Sequence, residues 1–495
     1  MTTLPTTSHR MFPLQQLLML VLFVGTTLVL MPLSLFVYDN DEGINVMKAV
    51  LVGDGYPLYT QTWSDQPPIF TQLLNAVFAL FGPSMTVARL LVLVLAALFI
   101  WAFTSTIRLQ LGTMAAWVAL LLLMLSDNFL RLSLSVMIGL PALSFAMVAI
   151  YLVQRHKYLH ARRFVRLGLL IASGLLMGVA MQTKVFVAFL VPLLALDLVD
   201  WGSDWWGHRS DFGPKVGYAL LFGMVTVATW LGIGLYYHAL DFNMLLGAHL
   251  NANVRSAYEG DGGWGELSRF LLFDYGHLLL AIAGVMALVV RRQWHGLLPL
   301  SWLGTAVLLL SNHSPIWYHH YQIVAIPLCW LAAYCVPLFE TQSTVATDAG
   351  PRRTAFLPRI GPLIAMGLVL LVMYSRVKAT VPYYNQRVYD TEVVALLQRD
   401  VANTTWVFAD QAIYPFYAHL PVPPEIAVFS RKRFFGETLS NRMLVDILDR
   451  YHPEQILLTR FKDELLSDPE FVGYLNAHYT TVQENINYGY YQLNR

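Results

Sequence analysis

The amino-acid sequence predicts an α-helical polytopic membrane protein with about eleven transmembrane helices and a small C-terminal α/β domain. Hydrophobic residues make up 56% of its 495 residues and charged residues only 13%, which is far more apolar than a soluble globular chain. Long apolar segments recur up to about residue 377, whereas short apolar runs alternate with amphipathic stretches after it. We therefore expect one membrane domain at 1–377 and a second domain at 378–495.

The apolar segments define the predicted spans, because a helix of roughly 20 apolar residues crosses the hydrocarbon core. They lie at 12–37, 84–107, 111–126, 132–153, 165–182, 184–199, 216–238, 271–290, 296–311, 319–338 and 358–375. The apolar segment 69–81 is too short to cross, so we expect an interfacial helix at 69–82. The polar segment 340–358 is predicted to be a loop.

Basic residues are concentrated in alternate loops, which predicts the orientation of the chain. They cluster before residue 11, at 108, and in the loops at 155–166, 208–215, 291–292 and 352–359. Because cytoplasmic loops are enriched in Lys and Arg, we expect these loops and the N-terminus to be cytoplasmic. The C-terminal domain is then extracytoplasmic. With no recognised organelle signal, the expected location is a prokaryotic inner (plasma) membrane.

Overall charge and cysteine usage exclude several classes of protein. The formal net charge is +1, whereas binding of nucleic acid by charge needs a basic surface. Cys329 and Cys335 lie six residues apart in one apolar segment, so we predict neither a disulfide framework nor a Cys-x-x-Cys metal site.

The loop at 38–68 stands out because it places many carboxylates between two apolar segments. Carboxylates at a membrane surface are costly enough to indicate a function. Asp39 and Glu42 have the spacing of a capping box and predict a short helix over 40–52, with Asp41 in its first turn. The alternative is that Asp41 and Glu42 only cap this helix and complement its dipole.

Short motifs in and after this loop follow one another in a fixed order. They are Asp41-Glu42-Gly43, Gly53-Asp54-Gly55-Tyr56-Pro57-Leu58-Tyr59, Asp65-Gln66-Pro67-Pro68, Phe81-Gly82 and Arg89-Leu90. This set resembles the first external loop of the GT-C membrane glycosyltransferases. It is most similar to the branch that holds protein O-mannosyltransferases, lipid A aminoarabinose transferases and lipopolysaccharide galacturonosyl transferases (glycosyltransferase families 39 and 83). The resemblance extends to the whole predicted architecture.

The resemblance implies transfer of a sugar from a polyprenyl-phosphate donor to a lipid, glycan or protein acceptor on the outer face, with inversion. An inverting enzyme needs a carboxylate base for the acceptor and cations for the departing phosphate. Asp41 matches the family's general base, and Glu42 is expected to position the acceptor or a cation. A divalent cation is a possible cofactor, but no metal ligands are predicted.

The resemblance also implies a donor- and acceptor-binding set that includes Tyr59, Asp65 and Gln66. Relatives often carry Lys where Gln66 stands, as a phosphate contact, so here another cation must take that role. The candidates are Arg89, Lys184, Arg131, Arg255 and Arg269. Lys184 lies in an apolar stretch, where it either snorkels to the interface or meets an anion. Relatives also place an acid shortly before the position of Pro141, which is absent here. Asp127 is a possible substitute, or the site works with one acid fewer.

A histidine- and aromatic-rich outer loop at 311–321 supplies the last candidates. His313 and His320 are expected to contact donor or acceptor. His319 and His320 are adjacent and point to different faces of a helix, so a shared metal is not predicted. The aromatic residues of this loop form either a membrane-interface belt or a sugar platform.

Two other classes of protein are compatible with many spans. A transporter or flippase for polyprenyl lipid or glycan usually has paired halves and helices broken at mid-membrane, and the sequence shows neither. A sensor or assembly scaffold would bind a partner through the outward domain, and in that case Asp41 would be dispensable.

Overall fold

The computed structural model describes residues 12–126, 128–159, 162–200, 212–241, 245, 247, 251–258, 260, 262–336 and 389–494. The predicted loop at 340–358, the span at 358–375, the domain boundary at 378 and Asp127 lie outside these residues. Below, the membrane part means the described residues up to 336, and the C-terminal part means 389–494.

The membrane part is built from α-helices joined by short loops. Its helices are Phe12–Leu30, Asp41–Gly53, Ile69–Phe81, Met85–Leu111, Thr113–Leu125, Phe129–Leu132, Gly139–Tyr158, Arg163–Met181, Leu190–Leu198, Phe212–Tyr236, Ala252–Ala257, Gly263–Phe273, Tyr275–Arg291, Leu297–Ser311 and Gln322–Ala332. Turns of 3-10 helix lie at Val185–Phe189, Trp294–Gly296, Tyr318–His320 and Ala333–Cys335. Most of the long helices share one apolar core.

Two glycines explain the close packing of Arg163–Met181 against Phe212–Tyr236. Gly174 and Gly178 lie four residues apart on one helix face, the small-residue spacing that lets helix backbones approach in membranes. A Cβ at Gly174 would lie 2.8 Å from Val225 Cβ, and one at Gly178 would lie 2.6 Å from Thr229 Cβ. A larger side chain at either position would push the two helices apart.

Several helices are apolar enough to cross a membrane, which bears out the polytopic class but not the predicted number of spans. Among the described residues, four helices qualify by length and composition: Met85–Leu111, Arg163–Met181, Phe212–Tyr236 and Trp294–Ser311. A fifth is obtained if Gly263–Phe273 and Tyr275–Arg291, bent by 88°, count as one span. Several other predicted spans are shorter apolar helices of 10–17 residues, such as Thr113–Leu125. The segment predicted at 184–199 begins as a 3-10 turn.

The predicted span at 132–153 begins later, at Gly139. Pro141 is tolerated in the first turn of a helix, where its missing amide hydrogen is not needed, but not deeper. The segment before Gly139 instead bonds to the acidic loop, because Val136 O accepts from Asn45 Nδ2 at 2.8 Å. The predicted start at 132 is therefore wrong.

A helix is present where the interfacial helix is predicted, at Ile69–Phe81, with 13 residues. Phe70, Leu74 and Phe78 lie four residues apart along the chain and are buried, whereas Leu80 and Phe81 are exposed. This one-sided burial is typical of a helix that lies along a surface rather than through a core.

The short helix of the acidic loop is also confirmed, at Asp41–Gly53, and is called the acidic helix below. The capping box predicted from Asp39 and Glu42 is wrong, since the N-cap is Asn40 and makes no side-chain capping bond. Glu42 Oε2 accepts from Tyr38 N at 2.6 Å, and Asp39 Oδ1 accepts from Asp41 N at 2.8 Å. Glu42 is therefore turned away from the position that a capping box requires.

The C-terminal part is a small α/β fold, as the sequence predicts. Its strands are β1 (Val407–Ala409), β2 (Gln455–Leu458), β3 (Tyr479–Glu484) and β4 (Gly489–Leu493), in the order β1-β2-β4-β3. Its α-helices are Asp390–Gln398, Ile413–Ala418, Arg431–Phe435, Asn441–Tyr451, Lys462–Leu466 and Pro469–His478. Strands β1 and β2 are parallel and fully buried, whereas the other pairs are antiparallel. Buried apolar runs are typical of parallel strands.

The C-terminal part packs directly on the acidic helix. Gly43 leaves room for the backbone of Ile413, whose nitrogen would lie 2.4 Å from a Cβ at that position. The rings of Phe36 and Tyr417 stack at 4.5 Å, and Tyr417 OH donates to Phe36 O at 2.8 Å. Apolar residues of both parts share one core cluster. The acidic helix is thus held between other helices of the membrane part and the C-terminal part.

Candidate functional site

A cavity of about 970 Å³ lies where the acidic helix, the membrane part and the C-terminal part meet. Its walls come from the acidic helix and the segments 65–67, 131–138, 184–186, 308–320, 428–432 and 460–461. This volume is at the upper end of the roughly 300–1,000 Å³ typical of small-molecule pockets. The cavity can therefore hold a sugar and the groups that flank it.

Asp41 presents its carboxylate to this cavity. It shares one helix face with Ile44, Asn45 and Lys48, which also line the cavity, because residues three, four and seven apart stack on one side of a helix. No hydrogen bond joins its side chain to another of the described residues. Enclosure within the protein, and then Asp39, raises the pKa of Asp41 to about 6, with Asp65 adding to the effect while Lys432 and Arg460 oppose it. Asp41 keeps an exposed surface and borders the cavity.

Glu42 and Arg89 do not line the cavity. Both side chains are fully buried and form an ion pair, with Arg89 Nη2 at 2.9 Å from Glu42 Oε2. Glu42 Oε1 also accepts from Val136 N at 2.9 Å, and Arg89 Nη1 donates to Leu33 O at 2.7 Å. The structure thus contradicts the predicted contacts of Glu42 with acceptor or cation and of Arg89 with phosphate. The reason is the helix, which turns by about 100° per residue and so points Glu42 into the core.

Tyr59 also lies outside the cavity, contrary to its predicted contact with a ligand. Its hydroxyl donates to Gln66 O at 2.8 Å, so it fixes the turn that carries Asp65 and Gln66. Those two residues do line the cavity, and their contact with donor or acceptor stays a prediction. Lys48 lies under this turn with Nζ at 3.5 Å from Ser64 Oγ. Burial lowers the pKa of Lys48, while Asp65 and Asp41 act in the opposite direction.

Lys184 faces the cavity from the turn after Arg163–Met181. Its amine lies 3.8 Å from where a Cβ at Gly139 would stand, so the missing side chain at Gly139 leaves it room. Burial, and then the charge of Lys432, lowers the pKa of Lys184 to about 8, against the opposing effects of Asp41 and Asp65. Of the two alternatives for this lysine, its position favours contact with an anion.

The other candidate arginines divide between the cavity and the surface. Arg131 lines the cavity, with its guanidinium 4.1 Å from the centre of the Tyr318 ring. Arg255 donates to Asn312 O at 3.3 Å, and Arg269 is 76% exposed and pairs with Glu266 at 2.8 Å. Neither Arg255 nor Arg269 lines the cavity, so the structure contradicts these two as phosphate contacts.

Three histidines of the outer loop line one wall of the cavity. His313, His319 and His320 lie there beside Phe186, on which the His320 ring stacks at 5.9 Å. Burial holds the pKa of His319 and of His320 well below the ordinary value, so both are neutral at pH 7. Within the described ranges, no group of three or more His, Cys, Asp or Glu side chains could hold a metal ion.

Aromatic residues of the same loop take different places. Trp317 and Tyr318 line the cavity, and Tyr318 OH donates to Asp39 Oδ2 at 2.5 Å. Tyr321 is buried and stacks on Phe270 at 5.3 Å. Trp317 and Tyr318 are therefore placed to stack against a sugar in the cavity, whereas Tyr321 is not.

Lys432 and Arg460 are cavity residues that the sequence reasoning missed. Both belong to the C-terminal part, in which no functional motif was recognised. A signal was present for Arg460, which follows a short buried strand, because residues at the carboxyl ends of parallel strands commonly face ligands. Lys432 gave no signal beyond its place in the basic run Arg431-Lys432-Arg433.

Comparisons with known proteins agree with this architecture. The family described as dolichyl-phosphate-mannose-protein mannosyltransferase matches residues 65–232. ArnT from Cupriavidus metallidurans, in a crystal structure bound to undecaprenyl phosphate, superposes with a TM-score of 0.64 at 15% identity, over 95% of this chain and 97% of that one. The oligosaccharyltransferase AglB from Archaeoglobus fulgidus was solved in complex with an inhibitory peptide and a dolichol-phosphate. It superposes with a TM-score of 0.57 at 10% identity, over 97% of this chain and 74% of that one. No curated protein sequence matches the chain.

The fold and the cavity define a helical membrane protein of the GT-C class. The matches show that the chain has the fold of ArnT and AglB and that residues 65–232 are similar to the mannosyltransferase family. The resemblance drawn from the acidic loop is thereby confirmed.

Proposed function

We propose that this protein is an integral membrane glycosyltransferase that moves a sugar from a polyprenyl-phosphate donor to an acceptor on the outer face, with inversion. One observation carries the proposal. The Asp41 carboxylate faces the same cavity as three cations, Lys184, Lys432 and Arg460, and none of these four side chains bonds to another described residue. A base and an anion site therefore share one cavity.

The chemistry needs both features. The bond between the anomeric carbon and the phosphate oxygen breaks, and the acceptor oxygen bonds to that carbon from the opposite face. Asp41 takes the acceptor's proton, and the phosphate leaves with the bonding electron pair, stabilised by the cations. A general base is most effective when its pKa lies near the working pH, and the value of about 6 for Asp41 meets this condition.

The donor class is supported by the cavity wall and by the structural relatives. Leu308 and Leu309 line the cavity and are exposed, Leu308 by 66%, so they offer an apolar route for a lipid chain. The ArnT structure holds undecaprenyl phosphate, and the AglB structure holds a dolichol-phosphate. A lipid-linked donor also explains why the acidic helix is tied to apolar helices. The proposal includes a prokaryotic inner membrane, a cytoplasmic N-terminus and an extracytoplasmic C-terminal part.

The test is sugar transfer from a panel of radiolabelled polyprenyl-phosphate hexoses and pentoses to endogenous acceptors in membranes. Wild type is compared with Asp41→Asn and with Asp54→Asn, a carboxylate of the same loop that does not line the cavity. We expect transfer with at least one donor, a loss of about 10²–10⁴-fold in Asp41→Asn, and little change in Asp54→Asn. Equal transfer by wild type and Asp41→Asn would contradict the proposed base.

A transporter or flippase is the second candidate, and one observation favours it. The helix pair Gly263–Phe273 and Tyr275–Arg291 is bent by 88°, and broken helices are common in transporters. The same membranes decide between the two functions. Movement of a labelled donor lipid across the bilayer, without transfer from any donor, would establish transport and refute the transferase.

A further inference from the structure

The parallel strands of the C-terminal part end at the cavity. Asp410 and Gln411 follow β1, and Thr459 and Arg460 follow β2, so both carboxyl ends lie at one edge. Gln411 Nε2 donates to Asn40 Oδ1 at 3.0 Å, which sets this edge against the start of the acidic helix. In α/β folds the carboxyl edge of parallel strands is the usual place for ligands. Here that edge faces the carboxylate of Asp41.

Asp410 fixes the loop that carries Arg460. Its buried carboxylate accepts from Thr459 N at 2.9 Å, Thr459 Oγ1 at 2.7 Å and Phe461 N at 2.6 Å. These donors belong to the residues on either side of Arg460. The Arg460 guanidinium lies 5.1 Å from the centre of the Phe461 ring and lines the cavity. The direction of Arg460 is therefore set by a buried carboxylate that does not itself reach the cavity.

A buried arginine holds Lys432 in the same way. Arg433 donates to Glu425 O at 2.8 Å and to Val428 O at 2.9 Å. Its guanidinium also lies 4.2 Å from the centre of the Trp63 ring in the acidic loop. This contact fastens the helix Arg431–Phe435 to the membrane part and leaves Lys432 on the cavity side.

The cations of the two parts converge on one cavity, and none of them is held in an ion pair with a described residue. Lys184 comes from the membrane part, Lys432 from the C-terminal part, and the charge of Lys432 disfavours protonation of Lys184. Neither lysine forms an ion pair with a residue that the structure describes. Like charges gathered around one cavity are unfavourable, and an anion bound between them would remove that repulsion. The carboxylates of Asp41 and Asp65 offset only part of this repulsion at Lys184, whose pKa stays lowered.

We propose that the C-terminal part supplies Lys432 and Arg460 to the lipid-phosphate site, which is completed by Lys184 and is therefore divided between the two parts of the chain. The proposal rests on the proposed function for the identity of the anion as a polyprenyl phosphate. Lys432 and Arg460 contact the phosphate, whereas Asp410 and Arg433 are positioning residues. The phosphate then bridges the membrane part and the C-terminal part.

The experiment measures direct binding of undecaprenyl phosphate to the purified full-length protein in detergent, with undecaprenol as the phosphate-free control. The variants are Lys184→Ala, Lys432→Ala, Lys432→Arg and Arg460→Ala. The control is Arg450→Ala, an arginine of the same part that pairs with Glu425 at 2.6 Å and does not line the cavity. Thermal unfolding and gel filtration confirm that each variant is folded.

We expect each Ala variant of the three cations to raise the Kd for undecaprenyl phosphate by about tenfold or more, the size of a lost charge-assisted hydrogen bond. Lys432→Arg should recover most of the affinity, and Arg450→Ala should bind as wild type does. Undecaprenol should bind equally to all of them. Because binding is measured without sugar transfer, this result can hold even if the protein proves not to be a transferase.

Three outcomes would overturn the proposal. Wild-type binding of undecaprenyl phosphate no tighter than that of undecaprenol would remove the phosphate site altogether. Unchanged binding in Lys432→Ala and Arg460→Ala, with loss in Lys184→Ala, would place the phosphate site wholly in the membrane part and leave the proposed transferase intact. A loss of affinity in Arg450→Ala as large as in Lys432→Ala and Arg460→Ala would show that only the general charge of the C-terminal part matters.

Discussion

Asp41 and Glu42 are neighbours in the sequence, yet their carboxylates lie on different sides of the acidic helix. Asp41 faces the cavity, whereas Glu42 pairs with Arg89 at 2.9 Å in the core. A helix turn of about 100° per residue separates them. The acidic pair therefore serves two purposes, since one carboxylate is available for chemistry and the other fixes the helix that presents it.

The first prediction concerns this division of roles. Replacing either member of the buried pair, by Glu42→Ala or Arg89→Ala, should lower the free energy of unfolding by about 3–5 kcal/mol, because the remaining charge stays buried without a partner. The double variant should lose less than the sum. Chemical denaturation in detergent measures all three, with Asp41→Asn as the variant expected to unfold like wild type. An unchanged free energy of unfolding in both single variants would show that the pair does not hold the acidic helix in place.

The second prediction is the acid limb of the pH profile. Asp41 accepts a proton only as a carboxylate, and its pKa is about 6. Values of kcat/KM should therefore fall about tenfold per pH unit below pH 6. Asp39→Asn should move this limb to lower pH, because Asp39 raises the pKa of Asp41, and Lys432→Ala should move it to higher pH, because Lys432 lowers it. An acid limb near pH 4, insensitive to both substitutions, would exclude Asp41 as the base.

The third prediction concerns Lys184 and the affinity for polyprenyl phosphate at alkaline pH. The pKa of Lys184 is about 8 in the free protein, and a bound phosphate raises this pKa because it favours the charged amine. The affinity for polyprenyl phosphate is therefore fully present below pH 8. It declines as the pH rises above 8. Lys184→Arg keeps its charge and should bind equally at pH 7.5 and pH 9.5. Titrations with undecaprenyl phosphate at these two pH values make the comparison. A wild-type affinity that does not change between them would mean that Lys184 makes no contact with the phosphate.

Much of the fold could be predicted because it depends on local patterns. The apolar run at 405–409 and the run at 455–459 contain β1 and β2, and the amphipathic stretch at 439–450 covers all but the last residue of the helix Asn441–Tyr451. The acidic helix was placed within one residue of its observed ends. The number of spans was not predictable in this way, since hydropathy does not distinguish one continuous helix from a bent pair such as Gly263–Phe273 and Tyr275–Arg291.

The site was only half predictable, because its remaining members depend on contacts between distant parts of the chain. Arg89 has the charge of a phosphate ligand, but its partner Glu42 lies 47 positions away. Arg460 lies more than 400 positions from Asp41 in the sequence. It reaches the cavity only because β1 and β2 are parallel and the C-terminal part packs on the acidic helix. Local patterns hold no information about such contacts.

The fourth prediction concerns metal dependence. Lys184, Lys432 and Arg460 already provide the positive charge that a departing phosphate requires. We therefore expect transfer to persist in EDTA, within about twofold of the untreated rate, and to gain nothing from added Mg²⁺ or Mn²⁺. Loss of transfer in EDTA, restored by one of these ions, would show that a divalent cation assists the phosphate.

The last prediction tests whether the C-terminal part must remain packed on the acidic helix. A Cβ at Gly43 would lie 2.4 Å from Ile413 N and 2.7 Å from Ile413 Cα, and these backbone atoms cannot turn aside as a flexible side chain can. Gly43→Ala should therefore separate the two surfaces, withdraw Lys432 and Arg460 from the cavity and reduce both transfer and undecaprenyl phosphate binding by about tenfold. Faster proteolytic cleavage between the two parts should accompany this loss. Gly25→Ala is the control, since nothing lies within 4 Å of its added Cβ. Normal binding by a Gly43→Ala protein that is cleaved faster would show that the phosphate site does not need the packed arrangement.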